Sequence, residues 1–261
     1  MSRGEGKKSK AATLIIVIAL IVFLLSLGYI CYTFLQDYSA QISYGEVAEI
    51  ATGSTDSSKS DGAASSPVDL ESLREINSDV YAWIRVPGTH VDYPIAQSTV
   101  NDNYYLHRSI YKRYLFAGMI YTQSCNNRSF TDPVTVIYGH NMRSTTMFTT
   151  LHYFEDAAFF DSHDTFYIYT TDRVLTYKIV SAYKYDNRHI MNSFDFSNPE
   201  VLSSYHDYVM NPITTLRNVR EGVTLENDSK LVILSTCMSN DKNSRFLVNG
   251  VLVNDVPLTK E

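Results

Sequence analysis

Cys237 ends the run KLVILSTC, in which Leu231 to Ser235 are mostly apolar and read as a buried strand. A thiol at the C-terminal edge of such a strand can be partly exposed while its backbone is held rigidly, as a nucleophile requires. Position alone does not decide this, because a lone cysteine at a strand end is most often an inert packing residue. Arg245 strengthens the case. It stands at the start of the next apolar run, FLVNGVLV, beyond the polar, turn-rich connection MSNDKNS. Antiparallel pairing of the two runs would bring the guanidinium to the same barrel end as the thiol. Guanidinium keeps its charge at any relevant pH and donates in a planar fork. It can therefore stabilise a thiolate or the oxyanion of a tetrahedral intermediate. A solvated arginine at a loop end is the plain alternative.

His140 follows VTVIYG, again at the end of a buried-looking strand, with Gly139 permitting a sharp exit. A cysteine nucleophile needs a base or an imidazolium partner to supply thiolate. Free cysteine titrates near about 8.5 and histidine near about 6.5, so an unperturbed pair is thiolate–imidazolium only to a small extent near neutrality. A neighbouring arginine favours that form. His90, His107, His152, His163, His189 and His206 lie in turns or polar helical stretches and read as mostly surface. Ser235 shares a strand face with Cys237. It is a candidate for touching substrate, or else packs within the barrel. Cys125, in QSCNNR, reads as a reduced surface-loop thiol without a catalytic role. No CxxC or His-x-x-x-His pair suggests a metal site, and none is expected.

These residues need rigid strands to position them, and the chain supplies the pattern. Short alternating or apolar runs occur at 81–86, 91–97, 117–122, 134–139, 165–170, 174–185, 230–236 and 246–253. Helical patterns occur at 67–77, 145–154 and 198–210. In the last, Ser197 or Asn198 can cap and Pro199 sits in the first turn. About eight strands and few helices predict a mainly β domain, a closed or nearly closed barrel. A formal net charge of -6 gives no global basic field, so nucleic acid is not an expected partner.

The front of the chain has another purpose. Residues 11–30 read AATLIIVIALIVFLLSLGYI, without a charge. About 20 residues make a helix of about 30 Å, enough to cross a bilayer. Arg3, Lys7, Lys8 and Lys10 precede it against the single acid Glu5, which keeps the N-terminus cytoplasmic by the positive-inside rule. The run is longer than a signal-peptide core, and Tyr29, Tyr32 and Phe34 stand at its exit. The expected organisation is a cytoplasmic tail over 1–10 and a transmembrane anchor over 11–34. A stalk and flexible linker follow over 35–67, then a catalytic domain over 68–258 and a tail over 259–261. Residues 52–67 are Ser/Gly/Asp-rich with no large apolar side chain, hence the linker.

The combination resembles the sortase family. ILSTC (233–237) followed by Arg245, with YGHNM (138–142) upstream, is similar to the sortase signature. GTHVDYPIAQ (88–97) and NDNYYL (101–106) resemble the early strands of class B sortases, as does the helix at 198–210 inserted between late strands. The resemblance implies an eight-stranded sortase-type barrel with an N-terminal helix and that inserted helix. It implies a membrane-anchored cysteine transpeptidase with His140, Cys237 and Arg245 as its catalytic residues and no metal or organic cofactor. The implied partners are secreted proteins with a C-terminal sorting signal, and an amine acceptor from the cell-wall peptide (peptidoglycan) or a pilin subunit. The C-terminus DVPLTKE carries no second apolar segment, which favours wall attachment over polymerisation. Two readings stay open from the residues: a hydrolytic cysteine peptidase using the same groups, and an anchored β-domain that binds without catalysis.

Overall fold

The computed structural model describes residues 5–53 and 66–258. Residues 1–4 of the expected tail, most of the expected linker and residues 259–261 lie outside the described residues. In chain order the elements are α1 (Glu5–Gly53), α2 (Leu70–Ile76), β1 (Val80–Arg85), β2 (Asp92–Ala96), β3 (Ile120–Thr122) and β4 (Val134–Tyr138). Then come α3 (Ala157–Ser162), β5 (Thr165–Tyr169), β6 (Arg173–Asp186), α4 (Ile190–Ser193), α5 (Pro199–Met210), β7 (Arg217–Val219), β8 (Leu231–Cys237) and β9 (Ser244–Pro257).

The strands hydrogen-bond in the order β5-β1-β2-β3-β4-β8-β9-β6, and pairing of β5 with β6 closes the ring. The result is an eight-stranded barrel. β7 adds a ninth strand to β6, pairing through Arg217–Val219 at residues 181–183. It is short and half-polar, so no alternating apolar pattern announced it in the sequence. Closure removes the free edges an open sheet would leave.

Period-two alternation sorts side chains to two sides of the wall. On β8 and β9, Val232, Leu234, Phe246 and Val248 point into the lumen with Ile137 and Phe166. Leu231, Ile233 and Leu247 point outward, where they pack with Val134 and Val136 under Leu202, Tyr205 and Val209 of α5. That helix begins as the sequence indicates: the Asn198 side chain accepts from Glu200 N–H at 2.9 Å, and Pro199 occupies the first turn.

Two expectations need correction. Residues 145–154, expected as a helix, are irregular until a 3-10 segment over Thr149–Glu155, which runs into α3. Residues 35–50, expected as a short amphipathic stalk, are amphipathic, but they continue α1 without a break and lie on the domain. Ala40, Tyr44, Val47 and Ala51 lie along one helical face and are buried against the barrel. Tyr44 meets the Tyr93 ring edge-on at 5.1 Å, and its hydroxyl donates to the Gly118 carbonyl.

Candidate active site

β8 is central in the wall, parallel to β4 and antiparallel to β9. In the first pairing Tyr138 lies opposite Ser235, and Gly139 N–H donates to the Ser235 carbonyl at 3.1 Å. In the second, Cys237 lies opposite Arg245. Directly opposed residues in an antiparallel pair present their side chains to the same face. Ser235, Cys237, Arg245 and Leu247 thus share the outer face, while the intervening Thr236 and Phe246 turn inward. His140 arrives beside them from the end of β4.

A cavity of about 250 Å³ opens at this point, and His140, Ser235, Cys237 and Arg245 all line it. Folding therefore gathers every residue that the sequence singled out for chemistry. The cavity lies on the outer wall of the barrel, roofed by the segment after β6, from which Asn187, Arg188, His189 and Ile190 contribute.

Gly139 explains the placement of His140. A Cβ at residue 139 would stand 2.6 Å from both Ile120 Cδ1 and Phe148 Cγ. Only a residue without a side chain lets β4 leave the wall this tightly, with His140 aimed at the cavity.

The imidazole of His140 hydrogen-bonds through Nε2 to the Leu106 carbonyl at 2.8 Å. A carbonyl only accepts, so Nε2 carries the hydrogen and Nδ1 is the nitrogen left to exchange a proton. Burial holds the His140 pKa below the usual histidine value; the Leu106 hydrogen bond opposes this, and His107 adds to it. Arg245 donates through Nη1 to the carbonyls of Lys242 and Ser244, at 3.3 and 3.1 Å. It makes no salt bridge to a carboxylate among the described residues, so its positive charge stays available to the cavity.

The histidines assigned to the surface need correction. His90 is exposed, but His206 is buried within α5. His107 stacks on His140, ring centroids 5.2 Å apart and planes 22° from parallel, and Phe116 stacks on both rings. His189 lines the cavity and meets Gln123 Oε1 through Nε2. His152 sits behind the thiol: its Nε2 lies 3.1 Å from the Cys237 carbonyl oxygen, and its Nδ1 faces Glu155 Oε1. Asn141 Nδ2 donates to the same Cys237 carbonyl at 2.9 Å. These contacts fix the backbone of the residue that carries the sulfur.

Sequence reasoning also missed Tyr121, whose ring stacks on Tyr138 at 5.5 Å and lines the cavity. Its phenol is pushed up to about 12, first by burial and next by its neighbour Cys237, with Arg245 opposing. It stays protonated and able to donate. The alternation of β3 placed Tyr121 on a strand, but nothing local indicated what it would face. Cys125 is exposed and makes no disulfide among the described residues.

Comparison with known proteins follows this geometry. The family model described as Sortase domain matches residues 84–253. Sortase B of Listeria monocytogenes is 28% identical over 193 residues, covering 71% of this chain and 74% of its own. The crystal structure of Clostridium perfringens sortase B is similar with a TM-score of 0.63 and 30% identity, covering 71% of this chain and 100% of that one. Sortase B of Bacillus anthracis shares the fold with a TM-score of 0.71 at 24% identity, over 85% of this chain and 99% of that one.

Proposed function

Because the chain belongs to the sortase family, with class B relatives, and is a cysteine transpeptidase, we propose that Cys237 is its nucleophile, His140 its acid/base and Arg245 its oxyanion-stabilising group. The carrying observation is the outer-wall cavity shared by these three side chains, which are distant in the chain.

The thiol passes its proton to Nδ1 of His140 and attacks a backbone carbonyl in a sorting motif near the C-terminus of a secreted protein. Arg245 donates to the resulting oxyanion, where a fixed positive donor lowers the barrier. Collapse of the tetrahedral intermediate breaks the C–N bond. The imidazolium gives its proton to the leaving amine, and a thioester to Cys237 remains. An acceptor amine then attacks the thioester, His140 takes its proton, and the thiolate leaves and is reprotonated. The low basicity of His140 suits this cycle, because a neutral imidazole is ready to accept at each attack. Ser235, beside Cys237 on the strand face, contacts the substrate near the scissile bond. The acceptor we assign is a cell-wall peptide amine, with a pilin subunit as the second choice.

The apolar stretch of α1 supports a single-pass anchor over residues 11–34, with a cytoplasmic N-terminus and the barrel outside. The enzyme would then meet substrates as they emerge and acceptors just beyond the bilayer.

The test is thioester capture. The full chain in detergent is incubated with a panel of sorting-motif peptides, with and without an amine acceptor, and followed by intact-mass spectrometry. An acyl adduct that disappears in Cys237→Ala and is discharged faster by the amine supports the assignment. Turnover that persists in Cys237→Ala, or product formation indifferent to amine, contradicts it.

A further inference from the structure

One surface near the helix exit has no part in the mechanism above. Between the 3-10 turn at Tyr104–His107 and β3, the chain forms a tight hairpin. Arg108 bridges Tyr114, Ser109 N–H donates to the Arg113 carbonyl at 2.9 Å, and Lys112 N–H donates back to Ser109 at 2.9 Å. Ile110 is buried as its root, at 1% exposure. Its other large side chains turn to solvent: Tyr111 is 41% exposed and Tyr114 63%, with Phe116 just beyond at 45%. From Asn103 to Thr131 the chain has no acidic residue, while Arg108, Lys112, Arg113 and Arg128 supply positive charge. Lys112 is half-committed to Asp79 at 3.2 Å. A rigid hairpin that exposes aromatic rings among cations matches the chemistry of a membrane interface.

Its position makes the match specific. Tyr111, Arg113 and Tyr114 face Leu35, Tyr38 and Ile42 of α1 across a surface depression. A neighbouring depression puts Phe116, Met142 and Arg143 against Tyr29 and Tyr32. A helix entering the hydrocarbon at Ala12 leaves it after about 20 residues, near Tyr32, and crosses the headgroup layer over the next several. Of the helical residues opposite these segments, Tyr29 and Tyr32 leave the hydrocarbon and Leu35 crosses that layer, while Tyr38 and Ile42 stand about 9 and about 15 Å beyond Tyr32. Glu46, the one acid lining these depressions, lies a turn farther from the bilayer. The continuity of the patch with the exposed apolar length of α1, and its one-signed charge, select an anionic lipid surface over a protein partner.

We propose that the Arg108–Tyr114 hairpin, together with Phe116 and Arg143, is a second membrane-contact surface that seats in an anionic headgroup layer around the exit of α1. This rests on the reading of α1 as a membrane-spanning anchor. Phe116 stacks on His140 at 6.0 Å, so the contact holds the cavity at the bilayer surface.

The experiment uses the full chain in nanodiscs of phosphatidylcholine with or without phosphatidylglycerol. Trp83 is the single tryptophan and is buried, so it supplies a constant background. In Tyr114→Trp, emission should shift to the blue and lose intensity with headgroup-proximal spin-labelled lipid, more strongly when phosphatidylglycerol is present. Adding Arg113→Glu and Arg143→Glu should remove that dependence on anionic lipid. Leu24→Trp, inside the apolar run, reports the anchor itself through quenching by lipid spin-labelled deep in the acyl chain. Quenching at residue 24 without quenching at residue 114 overturns the proposal and leaves the anchor intact. Quenching at neither overturns both. Shielding of the indole in Tyr114→Trp that follows protein concentration in lipid-free detergent assigns the patch to a second copy and also overturns the proposal.

Discussion

Cys237 and Arg245 face each other across the final rung of the β8–β9 ladder. Their side chains leave the wall on one face because directly opposed antiparallel residues always do so. Six residues, 238–243, connect the two strands, and the distance from sulfur to guanidinium is governed by strand register. A register slip of one residue would turn one of them into the lumen.

Arg245→Ala should lower kcat/KM by about 10²–10³-fold, the usual effect of removing an oxyanion donor. Arg245→Lys should recover only part of this, since an ammonium keeps the charge without the planar fork. Circular dichroism of both variants should match the parent. Equal activity of Arg245→Ala and the parent would remove the arginine from the chemistry.

The pH profile should carry the mark of a buried imidazole. The folded protein disfavours imidazolium at His140, so the acid limb of kcat/KM should fall below the ordinary histidine value of about 6.5. His107→Phe keeps a stacked ring and removes a like-charged neighbour, so it should move that limb upward. Titration of the His140 Cε1 proton by NMR measures the same shift without turnover. An unchanged titration would show that the stack has no electrostatic role.

Gly139→Ala places a methyl against Ile120 and Phe148, which are packed in the barrel. Overpacking of this kind costs about 1–3 kcal/mol. It should also displace His140, so activity should fall beyond what the remaining folded fraction explains. Urea unfolding and kcat measured on the same sample separate the two.

Acid should destabilise the domain through His206 as well as His140. Burial lowers the His206 pKa, with a backbone contact at Glu226 opposing. The unfolded chain then takes up a proton near about pH 6.5, which the folded chain resists. Stability is therefore present above that pH and is lost as pH falls through the lowered folded value. The urea midpoint should drop between about pH 7.5 and about pH 5, and His206→Gln should reduce the drop. A midpoint indifferent to pH in the parent would contradict this.

Asn141→Ala removes a donor from the Cys237 carbonyl while leaving His152 as its other neighbour. A neutral hydrogen bond contributes about 0.5–1.5 kcal/mol, so the loss in kcat should be modest, roughly tenfold or less, with KM little changed. A KM effect alone would place Asn141 in substrate binding.

Much of this molecule can be read along the chain because its signals are local. The apolar runs of β4, β8 and β9, the Asn198–Pro199 start of α5, and the strand-end positions of Cys237, His140 and Arg245 depend on neighbours a few residues away. Other features depend on contacts between distant segments. Nothing near Asn141 in the sequence shows that it binds a carbonyl 96 residues later, and nothing near His107 shows that it stacks on His140. The continuation of α1 onto the barrel through Ala40, Tyr44, Val47 and Ala51 became visible only with the surface it covers. Periodicity reports which face of an element is apolar. It does not report which surface comes to meet that face. Ring closure and the roof after β6 set the cavity on the outer wall, and both are properties of the whole chain folded at once.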